Sequence, residues 1–153
     1  MMRFLVIGAG SIGQRHCRNL VALGQNVLAW DPDERPRRRA AAIAGVTVSP
    51  SHAEALATRP DAVLICAPPA HHVDLAREAL AAGAHVFVEK PIAPESRAVP
   101  GLIDEAARRG LRLAVGFNLR VLPSLHRVAA LLEDKCVGRV LARSPSRCLP
   151  FGV

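Results

Sequence analysis

Tyrosine is absent from this 153-residue chain, and phenylalanine, tryptophan and tyrosine together make only 3% of it. Modules that stack nucleobases on aromatic platforms need those rings, so the net charge of +7 is not by itself a sign of nucleic-acid binding. Lysine is nearly absent too. Only Lys90 and Lys135 occur, against eighteen arginines, and with so much alanine and proline beside them the arginines read as the codon bias of a GC-rich genome. No run of about 20 apolar residues exists, so no membrane span is expected. The stretch Met1–Gly13 has one arginine and a short apolar run, but Gln14, Arg15 and His16 close it without a small-residue cleavage site, so no signal peptide is expected. The four cysteines, Cys17, Cys66, Cys136 and Cys148, include no pair at the two-residue gap of a zinc knuckle or redox dithiol. Cys17 and Cys66 lie in apolar segments, where a buried reduced thiol is the usual state, and this fits a cytoplasmic location.

What is present is a core-forming composition. Half of the residues are hydrophobic and 22% are charged, which excludes a disordered chain. A domain of this length buries roughly 70% of the surface of its unfolded chain. Strand and helix patterns alternate. Continuous apolar runs at Arg3–Ile7, Asn26–Trp30, Val46–Val48, Ala62–Cys66, Ala84–Val88 and Arg112–Val115 predict buried strands. Helical periodicity lies between them. Ile12, His16, Leu20 and Leu23 form one predicted face, ended by Gly24. A basic helix is predicted over Asp33–Ala44 with a break at Pro36, and others over Ser51–Ala57, Ala70–Ala82, Glu95–Arg109 and Pro123–Asp134. In the last of these Leu125, Ala129 and Leu132 are expected to face inward, and Arg139–Arg143 could begin one more strand. The alternation predicts an α/β fold, a doubly wound parallel sheet with helices on both faces.

Gly8, Gly10 and Gly13 spell G-x-G-x-x-G directly after the first strand and at the start of the first helix. Gly8 permits the turn, Gly10 lets the backbone approach a pyrophosphate, and Gly13 lets helix and strand pack closely. With Ser11 and Ile12 they form a candidate phosphate cradle at a helix N-terminus, whose free N–H groups and dipole favour anions. Asp31 ends the second strand, where a carboxylate can bind the ribose hydroxyls of NAD. The alternative is a glycine turn with an ordinary capping acid. Arg35 complicates the choice, because an arginine just after that strand can pair with a 2′-phosphate, leaving NADP as the alternative cofactor. Arg35 and Arg37–Arg39 can equally be a solvated helix face. The pattern is that of a Rossmann-type fold.

The segments GAGSIGQRH (8–16), APPAHH (67–72), AGAHVFVEKP (82–91) and GFNLR (116–120) resemble, in order, the motifs of the Gfo/Idh/MocA family of NAD(P)-dependent oxidoreductases. The match runs from about Met2 to Arg143. The resemblance implies hydride transfer between a nicotinamide cofactor and a carbinol of a sugar, cyclitol or other polyol. It implies that Glu89-Lys90-Pro91 is the family's Glu-Lys-Pro, often with a cis Lys-Pro bond, and that Lys90 is the catalytic residue near the nicotinamide. Independently, an ammonium can donate to a developing alkoxide, and partial burial can lower its pKa so that it exchanges protons. The resemblance further implies that Ala67, Pro68 and Pro69 line the nicotinamide-side turn, that His72 rather than His71 is the family's histidine, and that Glu89, Asn118 and Arg120 help hold cofactor or substrate. For His72, Asn118 and Arg120 a structural role is the alternative. His16, His52, His85 and His126 have no partner at metal-ligand spacing, so no metal is assigned.

Family enzymes carry a second α/β domain that completes the substrate site and commonly makes the dimer. Residues 1–121 are expected to be the dinucleotide-binding domain, and 122–153 a linking helix with the start of that second domain. The final SPSRCLPFGV does not look like its continuation, and a frameshifted or truncated gene is the expectation. The chain alone is then expected to bind dinucleotide and turn over little. Three readings follow: an oxidoreductase nucleotide-binding domain; a non-catalytic module that joins another chain or a second copy through apolar residues Leu122, Leu125, Val128 and Leu131; and, last, a nucleic-acid binder using its charge.

Overall fold

The computed structural model describes residues 1–136 and Gly138. Two compact units are distinguished, Met1–Gly116 and a second beginning at Phe117. In the first, six strands alternate with five helices: β1 (Arg3–Ile7), α1 (Ser11–Ala22), β2 (Asn26–Trp30), α2 (Glu34–Ala41), β3 (Val46–Val48), α3 (His52–Ala57), β4 (Ala62–Ile65), α4 (His72–Ala81), β5 (His85–Val88), α5 (Val99–Arg108) and β6 (Leu113–Val115). All strand pairs are parallel, in the order β3-β2-β1-β4-β5-β6. The order reverses between β1 and β4, so the carboxyl ends of those strands open a crevice of the kind that binds ligands in doubly wound sheets.

Alternation along the strands sends successive side chains to opposite faces. Leu5, Ile7, Val63, Ile65, Val86 and Val88 pack with Ala76, Leu80, Leu102 and Ala106 of α4 and α5 on one face. Val6, Val27, Ala29 and Leu64 pack with Cys17, Leu20 and Ala40 of α1 and α2 on the other. Leu5, Ile7, Ile65, Leu80 and Leu102 are fully buried, each contributing roughly 1.5–3 kcal/mol of transfer free energy. Two well-filled faces are why each strand reads as a continuous apolar run.

The predicted bounds of β1, β2 and β3 coincide with those observed. The inward face of α1 differs from the expectation. Ile12 and Leu23 are 40% and 71% exposed, and Gly13, Cys17 and Leu20 are the buried positions. Helix α2 shows no break at Pro36. The side chain of Asp33 caps it by accepting from the Arg35 N–H, and Pro36 falls in the first turn, where a missing N–H forfeits no helical bond. Helices α4 and α5 start later than expected, because short 3-10 turns, Pro69–His71 and Ser96–Ala98, precede them.

The second unit holds a 3-10 turn, Asn118–Val121, and α6 (Pro123–Glu133). Helix α6 has no buried residue. Leu125 and Ala129 are half-buried, but Leu132, expected inward, is exposed, since the described residues of this unit supply no opposing layer. The strand expected at Arg139–Arg143 lies outside the described residues. Among the described residues, no helix is long and apolar enough to cross a membrane.

Candidate dinucleotide-binding site

The loop between β1 and α1 is built by its glycines, each for a different reason. Gly8 has φ +91° and donates its N–H to the Trp30 carbonyl at 2.8 Å. A Cβ there would lie 2.6 Å from the Ala67 nitrogen and the Cys66 carbonyl carbon, so the turn presses on the end of β4. A Cβ on Gly13 would lie 1.9 Å from the Gly8 carbonyl oxygen, so α1 sits directly on the loop. Gly10 is the opposite case, for a Cβ there would meet nothing within 4 Å. Its bare side faces open space at the start of α1. No side chain caps this helix and no acidic residue lies in its first turn. Its leading N–H groups and dipole therefore carry uncompensated positive character, the donor set a diphosphate requires. The residues present fit that group.

Asp31 holds the loop from the side. Its Oδ2 accepts from the Ala9 N–H at 2.7 Å and its Oδ1 from the Asp33 N–H at 2.9 Å. A carboxylate has about four acceptor positions, so lone pairs remain for ribose hydroxyls. Arg37, expected with its neighbours on a solvated face or at a phosphate, is half-buried instead. Its Nη1 donates to the carbonyls of Asp31 and Pro32 at 2.6 and 3.0 Å and clamps the segment after β2. Arg38 pairs with Glu34 on the exposed face of α2, and Arg35 is also exposed.

A cavity of about 740 Å³ opens between these segments. Gly8 and Gly10 form one wall, Trp30, Asp31, Pro32, Asp33 and Pro36 a second, and Cys66, Ala67 and Pro68 the floor after β4. Helix α4 closes the far side with Asp74, Leu75 and Glu78, preceded by His71. His71, passed over in the sequence for His72, lines the cavity, and Trp30, Asp74 and Glu78 escaped the sequence reading; the two acids of α4 carry no local sign that separates them from a solvent face. Arg35, Ser11, Ile12 and Pro69 do not line this cavity, although Ser11 and Ile12 are exposed in the first turn of α1.

His72 is 1% exposed, and of the two roles weighed for it the buried ring takes the structural one. Its Nδ1 lies 2.8 Å from the Pro91 carbonyl oxygen and its Nε2 lies 2.7 Å from that of Ala67. The ring is a tie between the segments that follow β4 and β5. Glu89, the first residue after β5, is engaged in a similar way. Its Oε1 lies 2.9 Å from His16 Nε2, and its Oε2 accepts from the Lys90 N–H at 3.3 Å. The His16 ring also meets Phe87 edge-on at 5.6 Å. Gly116, first after β6, packs so closely that a Cβ would stand 3.2 Å from the Glu89 carboxylate. The Lys90–Pro91 peptide is cis. The Lys90 side chain is exposed, so the partial burial expected of it is not supplied by the described residues.

Burial raises the Cys17 thiol to about 11. Burial, then the nearby Glu89 charge, raises Cys66 to about 12. Neither thiol is a nucleophile near neutral pH. Asn118 and Arg120 belong to the second unit, where the Arg120 carbonyl accepts from His126 Nε2. Among the described residues no cluster of three or more His, Cys, Asp or Glu could hold a metal ion.

A glycine loop with one open face, tied to an acid at the end of the neighbouring strand and set at the reversal point of a parallel sheet, defines a dinucleotide-binding domain. The family model of the Gfo/Idh/MocA oxidoreductases, described as an oxidoreductase family with an NAD-binding Rossmann fold, matches residues 2–117, and the chain belongs to that family. It is 38% identical to an inositol 2-dehydrogenase of Streptomyces avermitilis, over 89% of this chain and 41% of that enzyme. It is 34% identical to a UDP-N-acetylglucosamine 3-dehydrogenase of Acidithiobacillus ferrooxidans, over 81% of this chain and 39% of the relative. The fold superposes on GenD2 from gentamicin A biosynthesis, solved with NAD, with a TM-score of 0.82 and 31% identity, over 88% of this chain and 39% of that one. The chain thus spans about two fifths of the length of these relatives.

Proposed function

We propose that this chain holds NAD in the cleft between β1, β2 and β4 and serves an oxidoreductase that moves a hydride between the nicotinamide and a carbinol carbon of a sugar or cyclitol. The observation that carries the reading is the open side of Gly10 at an uncapped helix N-terminus, beside an acid already fixed to the same loop. Bound nicotinamide supplies the hydride acceptor or donor. The chain's own residues do the rest. The first turn of α1 neutralises the diphosphate, and Asp31 accepts from ribose hydroxyls. The Lys90 ammonium donates to, or the amine withdraws from, the oxygen on the reacting carbon. Asp31, Asp33, Asp74 and Glu78 give the cavity a negative lining, which disfavours a 2′-phosphate and supports NAD over NADP. Inositol and a UDP-sugar are the substrates that the names of two relatives give, and they support that substrate class. The free thiols Cys17, Cys66 and Cys136 support a reducing cytoplasm as the setting.

Calorimetry with NADH and NADPH tests the binding half; NADH is expected to bind more tightly, and absence of binding by either overturns the reading. A dehydrogenase assay with inositol, glucose and sugar nucleotides tests the chemical half. Because Lys90 is exposed, and exclusion of water and orientation supply much of such a rate, turnover by the 153-residue chain alone is expected to be slow; rapid turnover refutes that expectation.

A second reading, a dinucleotide-holding module that acts by joining another chain or a second copy, is favoured by the apolar residues that the second unit exposes: Phe117, Leu119, Val121, Leu122, Val128 and Leu132. It predicts NADH binding without polyol-dependent reduction of NAD, and a mass in sedimentation that rises with protein concentration.

A further inference from the structure

We infer that His16 and His72 are positioning residues that hold the Glu89-Lys90-Pro91 segment from its two sides and so set where the Lys90 ammonium stands. This rests on the reading of Lys90 as the group beside the nicotinamide and goes further, because it states what places that group. Lys90 itself is exposed. The anchors are its two neighbours. Upstream, the Glu89 carboxylate spans His16 Nε2 at 2.9 Å and the Lys90 backbone N–H at 3.3 Å. Downstream, the Pro91 carbonyl lies 2.8 Å from His72 Nδ1.

Each anchor leads back to the cofactor cleft. His16 stands one helical turn after Gly13, on the helix whose N-terminus forms the diphosphate cradle. The Glu89 link therefore ties the lysine's backbone to the helix that carries the cradle. The His16 and Glu89 side chains are each only 23% exposed, and the Phe87 ring and the Gly116 backbone crowd them, so the pair has little freedom to drift. The other nitrogen of His72 faces the carbonyl of Ala67, which lines the cleft floor. That ring is 1% exposed, too deep to touch a ligand itself. The flexible lysine side chain thus starts from a backbone fixed against both the diphosphate loop and the cavity floor.

Lys90 and Lys135 are the only lysines, so the second serves as an internal reference for the first. The test is the rate at which acetic anhydride modifies each, read by mass spectrometry with NADH, with ADP-ribose or with neither, alongside calorimetric affinities for both ligands. In the unaltered chain NADH slows modification of Lys90 relative to Lys135 by about tenfold, a size that fits positioning effects, whereas ADP-ribose, lacking nicotinamide, does not. His16→Ala loses this protection and keeps its ADP-ribose affinity. His16→Gln, which retains a donor at the Nε2 position, restores it. For the other anchor, His72→Asn keeps a donor toward Pro91 and keeps the protection, and His72→Gln, which keeps only the Ala67 side, loses it. Full protection in His16→Ala overturns the inference, and that arm decides alone if the His72 variants do not fold. Equal loss of ADP-ribose and NADH affinity in His16→Ala also overturns it, because that is the mark of a merely structural role. A different pattern marks failure of the underlying reading: in the unaltered chain, both ligands bind but NADH leaves Lys90 unprotected.

Discussion

Gly10 and Gly13 belong to one six-residue motif, yet substituting each by alanine should give opposite results. At Gly10 the backbone is extended, with φ −65° and ψ −167°, and a Cβ meets nothing within 4 Å. Alanine narrows the unfolded ensemble there, a gain of about 0.4–1 kcal/mol. It is also a poorer helix cap than glycine, a loss of similar size. The net change in stability is therefore within about 1 kcal/mol of zero. At Gly13 the new Cβ would lie 1.9 Å from the backbone carbonyl oxygen of Gly8. No rotamer relieves that contact, so α1 must move off the loop, at a cost of about 3 kcal/mol or more. Binding should respond differently. The Gly10→Ala methyl stands where the diphosphate approaches, and NADH affinity is expected to fall about 10- to 100-fold, or about 1.4–2.8 kcal/mol. Urea unfolding followed by circular dichroism measures the first quantity and calorimetry the second. Gly10→Ala that binds NADH like the unaltered chain, or Gly13→Ala that unfolds at an unchanged urea concentration, refutes the assignment of roles.

His72→Ala removes the ring that bridges the Ala67 and Pro91 carbonyls and leaves at least one of them without its donor in a buried place, and should cost about 2–4 kcal/mol in urea unfolding; a loss below about 1 kcal/mol refutes its role as a tie. Asp31→Asn keeps an acceptor for a backbone N–H but removes the charge, so the ratio of NADPH to NADH affinity should rise by about tenfold; an unchanged ratio shows that Asp31 does not discriminate. Cys17 titrates near 11 when folded against its usual 9.0. The unfolded chain releases that proton first, so the contribution is full below about pH 9 and is lost as pH rises toward 11, up to roughly 3 kcal/mol. Denaturation midpoints that do not fall over that interval contradict it. At pH 8 iodoacetamide should modify exposed Cys136 well before Cys17 or Cys66, and peptide mapping checks this.

The parts of this fold that were legible in the sequence are those whose cause is local. Strands β1, β2 and β3 coincide with apolar runs because both sheet faces are covered, and the glycine fingerprint is legible because turn, cradle and helix start fall within six residues. The face of α1 was misread for a physical reason. Its position is set by the contact of Gly13 with Gly8, and glycine carries no hydropathic signal, so counting Ile12 and Leu23 as inward placed the face wrongly. The pairing of His16 with Glu89, 73 residues apart, has no local cause at all. It arises because α1 follows β1 and the sheet order places β4 and then β5 beside that strand.

The same sheet order explains why the residues of the site are not scattered. In a parallel sheet every strand ends on the same edge, so the residue that follows each strand faces the crevice or supports it. Gly8 follows β1, Asp31 follows β2, Cys66 and Ala67 follow β4, Glu89 follows β5 and Gly116 follows β6. Gly116 was read only as the first residue of the GFNLR segment, with no role of its own, yet its place after a strand aligns it with Glu89, on whose carboxylate it packs. Strand ends are legible wherever apolar runs are, and the parallel arrangement follows from the strand-helix alternation. The positions of the site were therefore within reach of the sequence even where the partners were not. The partners depend on helix faces, and on α4 the cavity-lining residues Asp74 and Glu78 differ in no local property from acids turned to solvent.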